Sequence, residues 1–230
     1  MSSKGEYTFT DNVCVINEKQ DAVKQNVNLD YTCEGFEGVS TLVIISTVAN
    51  VYVESWNMDY IGFRLHGKAN CNVKLEYQVD DMGKLCVTTA YSKDYFSGDL
   101  VLDAYVPYTM LEKVLVQLKY GNISVGKGVS TNEMYLCTRK GDISNLAVFK
   151  KGFFKTFFGQ LIISVNAKTD VDLVVESFTG DIDLNLKNVS KIISDDQSKV
   201  KDFNNYSKLY NKGNALNLFV KTVKGCVTFR

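Results

Sequence analysis

A glycine-centred phrase that recurs along this chain constrains its fold more than any other feature. Five segments align on a glycine: 114–125 on Gly121, 134–145 on Gly141, 152–163 on Gly159, 173–184 on Gly180 and 218–229 on Gly225. The second position after the glycine reads Ile123, Ile143, Leu161, Ile182 and Val227, and five positions before it stand Val116, Leu136, Phe154, Val175 and Val220. Three before it stand Leu118, Thr138, Thr156, Ser177 and Thr222. A sixth, upstream copy places Leu42, Ile44, Ser46, Val51 and Val53 in the matching slots, with Ala49 in place of the glycine. Apolar and small residues two apart put one face of a strand inward. The glycine interrupts that run where the backbone must bend, and Asn122, Asp142 and Asp181 directly after it are good turn residues.

The first four glycines lie 20, 18 and 21 residues apart. A period of about 20 residues suits one turn of a solenoid and is too short for a propeller blade. The expected fold is therefore all-β: a repetitive parallel β-helix-like coil, with Ile123 over Ile143 over Leu161 in a continuous apolar column. Each such side chain, once buried, is worth about 1.5–3 kcal/mol. The Ser/Thr column is expected to form a hydroxyl ladder along the stack or to line a tighter corner. A β-sandwich of hairpins would also alternate apolar and polar residues, but a fixed period favours the coil.

Elsewhere the pattern loosens. Residues 60–65, 72–79, 84–89 and 99–106 read as longer strands, with a hairpin turn at 80–83, and suggest a less regular meander or widened coils at the base of the stack. Residues 1–40 are expected to be an N-terminal cap or extension with strands near 12–16 and 26–31, and 41–230 a single domain. Between the fourth and fifth glycines, 187–213 interrupt the repeat. A strand is expected at 189–194, followed by a polar surface loop.

Charge and composition exclude several functions. The chain is 45% hydrophobic and 23% charged, enough to bury a core. Its 26 basic and 26 acidic residues cancel, so no global field steers it to nucleic acid or anionic lipid. Residues 1–11 contain no apolar run of the secretory kind, and the longest apolar stretch, 41–53, is broken by Ser46, Thr47 and Asn50 and is too short to span a bilayer. The expected localisation is cytoplasmic as the sequence stands, or the cell envelope if an anchor lies upstream. Six cysteines without a C-x-x-C pair point to reduced residues, several of them in the core, and to no metal site.

Catalysis finds little footing. The one histidine, His66, has no nucleophile elbow or metal-binding helix beside it, and Gly126-Lys127-Gly128 is no phosphate loop. Asp170/Asp172 and Asp181/Asp183 each put two carboxylates on one strand face, a pattern that glycoside hydrolysis or Ca²⁺ binding could use, but outward Asp also solubilises a coil. No cofactor is implied. The most unusual local feature is the basic-aromatic run 150–158. Phe154 falls in the inward column, leaving Phe153, Phe157, Lys150 and Lys151 as candidate binding residues on an exposed patch. The N-x-S triplets at Asn122, Asn188 and Asn205 carry no weight without a secretory signal.

The repeat also has a familiar wording. Lys221-Thr222-Val223-Lys224-Gly225-Cys226-Val227-Thr228-Phe229 resembles a K-T-x-S-G-D-I-x-I phrase that recurs in a bacterial putative-adhesin domain family, as do 177–184 and 138–144. The entry to the last copy at 213–218 and the early 45–53 are similar to that family as well, so the resemblance spans roughly 40–230. It departs at Gly225-Cys226 and Gly159-Gln160, where the family usually has Asp after the glycine. The resemblance implies a non-catalytic binding or adhesion module whose partner is a cell-surface glycan or protein. An intracellular, self-associating β-helical scaffold is the alternative, and a carbohydrate-active β-helix enzyme comes last.

Overall fold

Alternating β-branched, aromatic and polar residues favour extended backbone, because a pleated strand puts one set inside and leaves the other in water. In the computed structural model every described element is a strand. The structure describes residues 14–15, 27–93, 95–165, 171–179, 181–184, 189–193, 200–201 and 216–229. The N-terminal strands are β1 (Cys14–Val15), β2 (Val27–Phe36), β3 (Thr41–Val48), β4 (Asn50–Trp56), β5 (Ile61–Ala69), β6 (Val73–Val79), β7 (Lys84–Tyr91), β8 (Tyr95–Phe96) and β9 (Gly98–Pro107). The repeat region supplies β10 (Leu111–Tyr120), β11 (Ile123–Val125), β12 (Ser130–Lys140), β13 (Ile143–Asn145), β14 (Val148–Phe158) and β15 (Leu161–Ile163). It continues with β16 (Val171–Thr179), β17 (Ile182–Leu184), β18 (Val189–Ile193), β19 (Val200–Lys201), β20 (Leu216–Lys224) and β21 (Val227–Phe229). Among the described residues, no helix is long and apolar enough to cross a membrane.

Two mixed sheets carry the chain. One has nine strands in the order β18-β16-β20-β14-β12-β10-β3-β7-β6, the other ten in the order β19-β17-β21-β15-β13-β11-β4-β9-β5-β2. Each repeat copy gives its long strand to the first sheet and its short strand to the second. In the first sheet Ile44, Val116, Leu136, Phe154, Val220 and Val175 are successive partners on parallel strands. In the second, Val51, Ile123, Ile143, Leu161, Val227 and Ile182 are. Ile123, Ile143 and Leu161 are fully buried, in one core cluster with the inward residues of the other sheet.

The corner glycines have a steric cause. Gly121 and Gly141 take φ of 130° and 149°, which L side chains rarely adopt. A Cβ on Gly121 would land on the carbonyl oxygen of Ala49, and one on Gly141 on that of Gly121. Each corner therefore sits against the corner beside it too closely for a side chain, and its N–H donates onward: Gly121 to the Lys140 carbonyl at 2.9 Å, Gly141 to the Phe158 carbonyl at 2.9 Å.

The residue after the glycine does more than turn the chain. Asn50 Oδ1 accepts the Asn122 N–H at 3.0 Å, Asn122 Oδ1 accepts the Asp142 N–H at 2.8 Å, and Asp142 Oδ1 accepts the Gln160 N–H at 2.7 Å. The hydroxyl column also works through the backbone rather than as a ladder of hydroxyls. Thr138 Oγ1 donates to the Gly121 carbonyl at 3.0 Å and Thr156 Oγ1 to the Gly141 carbonyl at 2.9 Å. At the base hydroxyls meet each other, Ser46 Oγ lying 2.7 Å from Thr89 Oγ1.

The copies do not all stack in sequence order: β20 and β21 lie between the 148–163 and 171–184 copies, paired on both sides in both sheets. The fit of the last copy to the earlier one is specific, with Phe153 and Phe219 stacked at 5.0 Å and 5° and Leu218 filling the space over Gly152. The loosely patterned N-terminal half combines the two forms expected of it, a widened copy and antiparallel strands. β7 and β9 continue the parallel columns, with Val87 beside Ile44 and Leu102 beside Val51, as one widened copy. Among the described strands the antiparallel pairings are those of β5 with both β9 and β2, and of β6 with β7 across a turn in which Asp80 Oδ1 accepts the N–H groups of Met82 and Lys84. The strand expected at 189–194 is β18, at the edge of the nine-stranded sheet. Gly180, Asp170 and the expected loop at 194–199 and 202–215 lie outside the described residues.

Candidate functional site

The basic-aromatic run forms β14, whose inward residues Gly152, Phe154 and Thr156 alternate with Lys151, Phe153, Lys155 and Phe157 on the outer face. Phe154 is wholly buried, with Phe149 against it edge-on at 5.3 Å. Because the strands are parallel and in register, outer residues also form columns. Phe153 has Tyr135 on one side, ring centroids 6.0 Å apart, and Phe219 on the other at 5.0 Å. Lys113 Nζ lies 4.3 Å over the Tyr135 ring, so cation–π attraction closes that end of the stack.

Beside the stack is a shallow groove of about 680 Å³ lined by Gln117, Cys137, Arg139, Phe153, Lys155, Phe157 and Phe158, with Leu118 and Thr138 beneath. Phe157 and Phe158 are 38% and 48% exposed. Lys155 Nζ sits 4.7 Å over the Phe157 ring. Burial pushes the Cys137 thiol up to about 11, against the opposing pull of Lys155, so the groove floor holds a neutral, unreactive thiol at neutral pH. Of the four candidates from the sequence, Phe153 and Phe157 line the groove and Lys150 and Lys151 do not. Lys151 is paired with Glu133 at 3.3 Å, and Lys150 is exposed on the strand before the groove. Arg139, Phe158 and Cys137 were missed, although the glycine alignment that found the inward columns also sets Arg139 beside Phe157.

A second apolar cluster went unread in the sequence. Trp56 stacks on Tyr105 at 5.2 Å and meets Tyr60 edge-on, while Met58, Tyr108 and Met110 in the adjoining loops are more than half exposed.

The remaining chemical candidates stay apart. His66 Nε2 lies 2.9 Å from Asp103 Oδ2 across the antiparallel β5–β9 pair, and Arg64 bonds Asp30 at 2.9 Å on the other side. The Arg64 guanidinium holds the Asp30 carboxyl below its ordinary range. Asp181 and Asp183 are exposed, and of the Asp170/Asp172 pair only the backbone of Asp172 is described. Among the described residues no group of three or more His, Cys, Asp or Glu could hold a metal ion. Cys33, Cys71, Cys86, Cys137 and Cys226 are free thiols.

No protein-family profile matches the sequence, and no curated protein matches it. A crystal structure of a putative cell adhesion protein from Clostridium sporogenes ATCC 15579 is similar, with a TM-score of 0.64 over 88% of this chain and 99% of that one at 12% identity. Putative adhesins from Parabacteroides distasonis ATCC 8503 (TM-score 0.31, 8% identity, 90% of this chain and 98% of that one) and Bacteroides fragilis NCTC 9343 (0.28, 10%, 90% and 98%) align more loosely. At such identities the likeness is one of fold: this chain shares the two-sheet architecture of the clostridial protein.

Proposed function

We propose that this chain is a non-catalytic, adhesion-type binding module of the putative-adhesin kind, a two-sheeted β-solenoid over 41–230 that docks a partner on the outer face of its nine-stranded sheet. The observation that carries this reading is the groove at Phe153, Phe157 and Arg139, where exposed aromatic rings lie among cations on a surface of rigid, in-register strands. Apolar groups held in water on such a surface mark an interface. The fold shared with a protein described as a putative cell adhesion protein adds support. The self-associating scaffold is less favoured because β6, the edge strand of the nine-stranded sheet, runs antiparallel to its neighbour and would interrupt a parallel stack continued from another chain.

The test is binding of the purified protein to a glycan array and to immobilised mucin, compared with a Phe157→Ser, Arg139→Ala variant that melts like the parent. Binding that the variant loses supports the reading. Binding unchanged in the variant would move the docking site elsewhere, and cleavage of any arrayed glycan would overturn the non-catalytic assignment.

A further inference from the structure

We infer that the groove beside β14 takes an acidic polysaccharide, a chain bearing carboxylate or sulfate groups, laid across the strands along the direction in which the repeats stack. The inference rests on the docking face just proposed and names its ligand class. It starts from charge. The groove lining contains two cations, Arg139 and Lys155, and no carboxylate. Lys140 and Lys224, both exposed, stand at strand positions in register with Phe158. Cations are thus present on three adjacent strands about 4.8 Å apart, Arg139 and Lys140 on β12, Lys155 on β14 and Lys224 on β20, with Phe158 at the β14 position between Lys140 and Lys224. Charges spread in that way match an extended polyanion better than a single small ion. The acidic residues of β12 and its corner are engaged, Glu133 with Lys151 at 3.3 Å and Asp142 as acceptor for the Gln160 N–H at 2.7 Å.

The aromatic geometry then separates sugar from base. Nucleic-acid stacking needs an open ring face. Here Phe153 and Phe219 cover one another at 5.0 Å and 5°, Tyr135 lies between Phe153 and the Lys113 ammonium, and Lys155 sits over Phe157. What the groove offers is the Arg139 guanidinium and the Lys155 ammonium, which a carboxylate or sulfate can meet by charge-assisted hydrogen bonds, with the part-exposed side chains of Phe157 and Phe158 as apolar contact beside them.

Isothermal titration with an alginate oligosaccharide tests this, alongside neutral dextran of equal length and a single-stranded oligonucleotide of equal charge. The expected result is binding of alginate alone, weakened by added salt. Arg139→Ala with Lys155→Ala, folded by thermal melt, should weaken it at least about tenfold. Lys150→Ala, charged but outside the groove, should leave it unchanged. Dextran or the oligonucleotide binding as tightly as alginate, or parental affinity in the double variant, would overturn the inference. If an arrayed neutral glycan binds through Phe157 while alginate does not, the docking face stands and the acidic ligand falls. If nothing binds, both fall.

Discussion

The parallel repeats and the antiparallel strands at the N-terminal end hold together in different ways. In the repeats every position meets its own counterpart on the next strand, so stabilising contacts come as columns: aliphatic on aliphatic, corner on corner, Asn50 to Asn122 to Asp142 to Gln160. At the antiparallel end the side-chain contacts are pairs of unlike residues, such as Arg64 with Asp30 and His66 with Asp103, that do not repeat from strand to strand. A column propagates any local fault to the strands on either side. A surface pair confines it.

The largest expected effect follows from where the last copy lies. Deleting residues 216–230 removes a central strand from each sheet, and the protein should lose its cooperative thermal transition by circular dichroism. A truncated chain that still melts cooperatively would show that β20 and β21 are dispensable edge strands. Next comes Ile143→Asp, which puts a charge into a fully buried column and should destabilise by about 4 kcal/mol or more. Lys140→Asp, exposed and three residues away, should stay within about 0.5 kcal/mol, so equal denaturant midpoints would refute the register.

A corner comparison is smaller. Gly141→Ala forces a Cβ onto the Gly121 carbonyl and should cost more than about 2 kcal/mol, whereas Gly35→Ala in β2, where nothing lies within 4 Å, should cost about 1 kcal/mol from backbone strain alone. The side-chain ladder comes below that. Asn122→Ala removes the acceptor for the Asp142 N–H and should cost about 1 kcal/mol in urea melts.

The smallest effect belongs to the antiparallel end. Because Arg64 lowers the folded Asp30 pKa below the ordinary carboxyl value of 3.8, the pair's contribution is present above that pH and fades as pH falls through the lowered value. Arg64→Met should bring the Asp30 carboxyl titration, followed by NMR, back up. No change on substitution would mean the ion pair is not formed in solution.

The inward columns were legible because burial imposes a strict period of two and the glycine fixes the phase in every copy. The same phase carried the outer columns, yet Arg139 and Phe158 were passed over because polar and aromatic outer residues vary from copy to copy and announce no pattern. The widened copy made by β7 and β9 was hidden for another reason: its two strands are joined through 92–97 without the glycine phrase, although Val87 and Leu102 extend the columns. Lys150 and Lys151 stand beside Phe153 in sequence yet outside the groove, because proximity along a strand does not place residues in one groove.

The sequence by itself determined which faces turn inward, since the period of two and the glycine phase put Val116, Leu136 and Phe154 in one set and Ile123, Ile143 and Leu161 in another, and the strands pair in parallel in that register. The order of the copies was decided only by the tertiary structure. Near-identical repeats can pair in register with any neighbour, so the backbone ladder is indifferent to sequence order. The choice falls to side chains that differ between copies, such as Phe219 against Phe153 and Leu218 over Gly152.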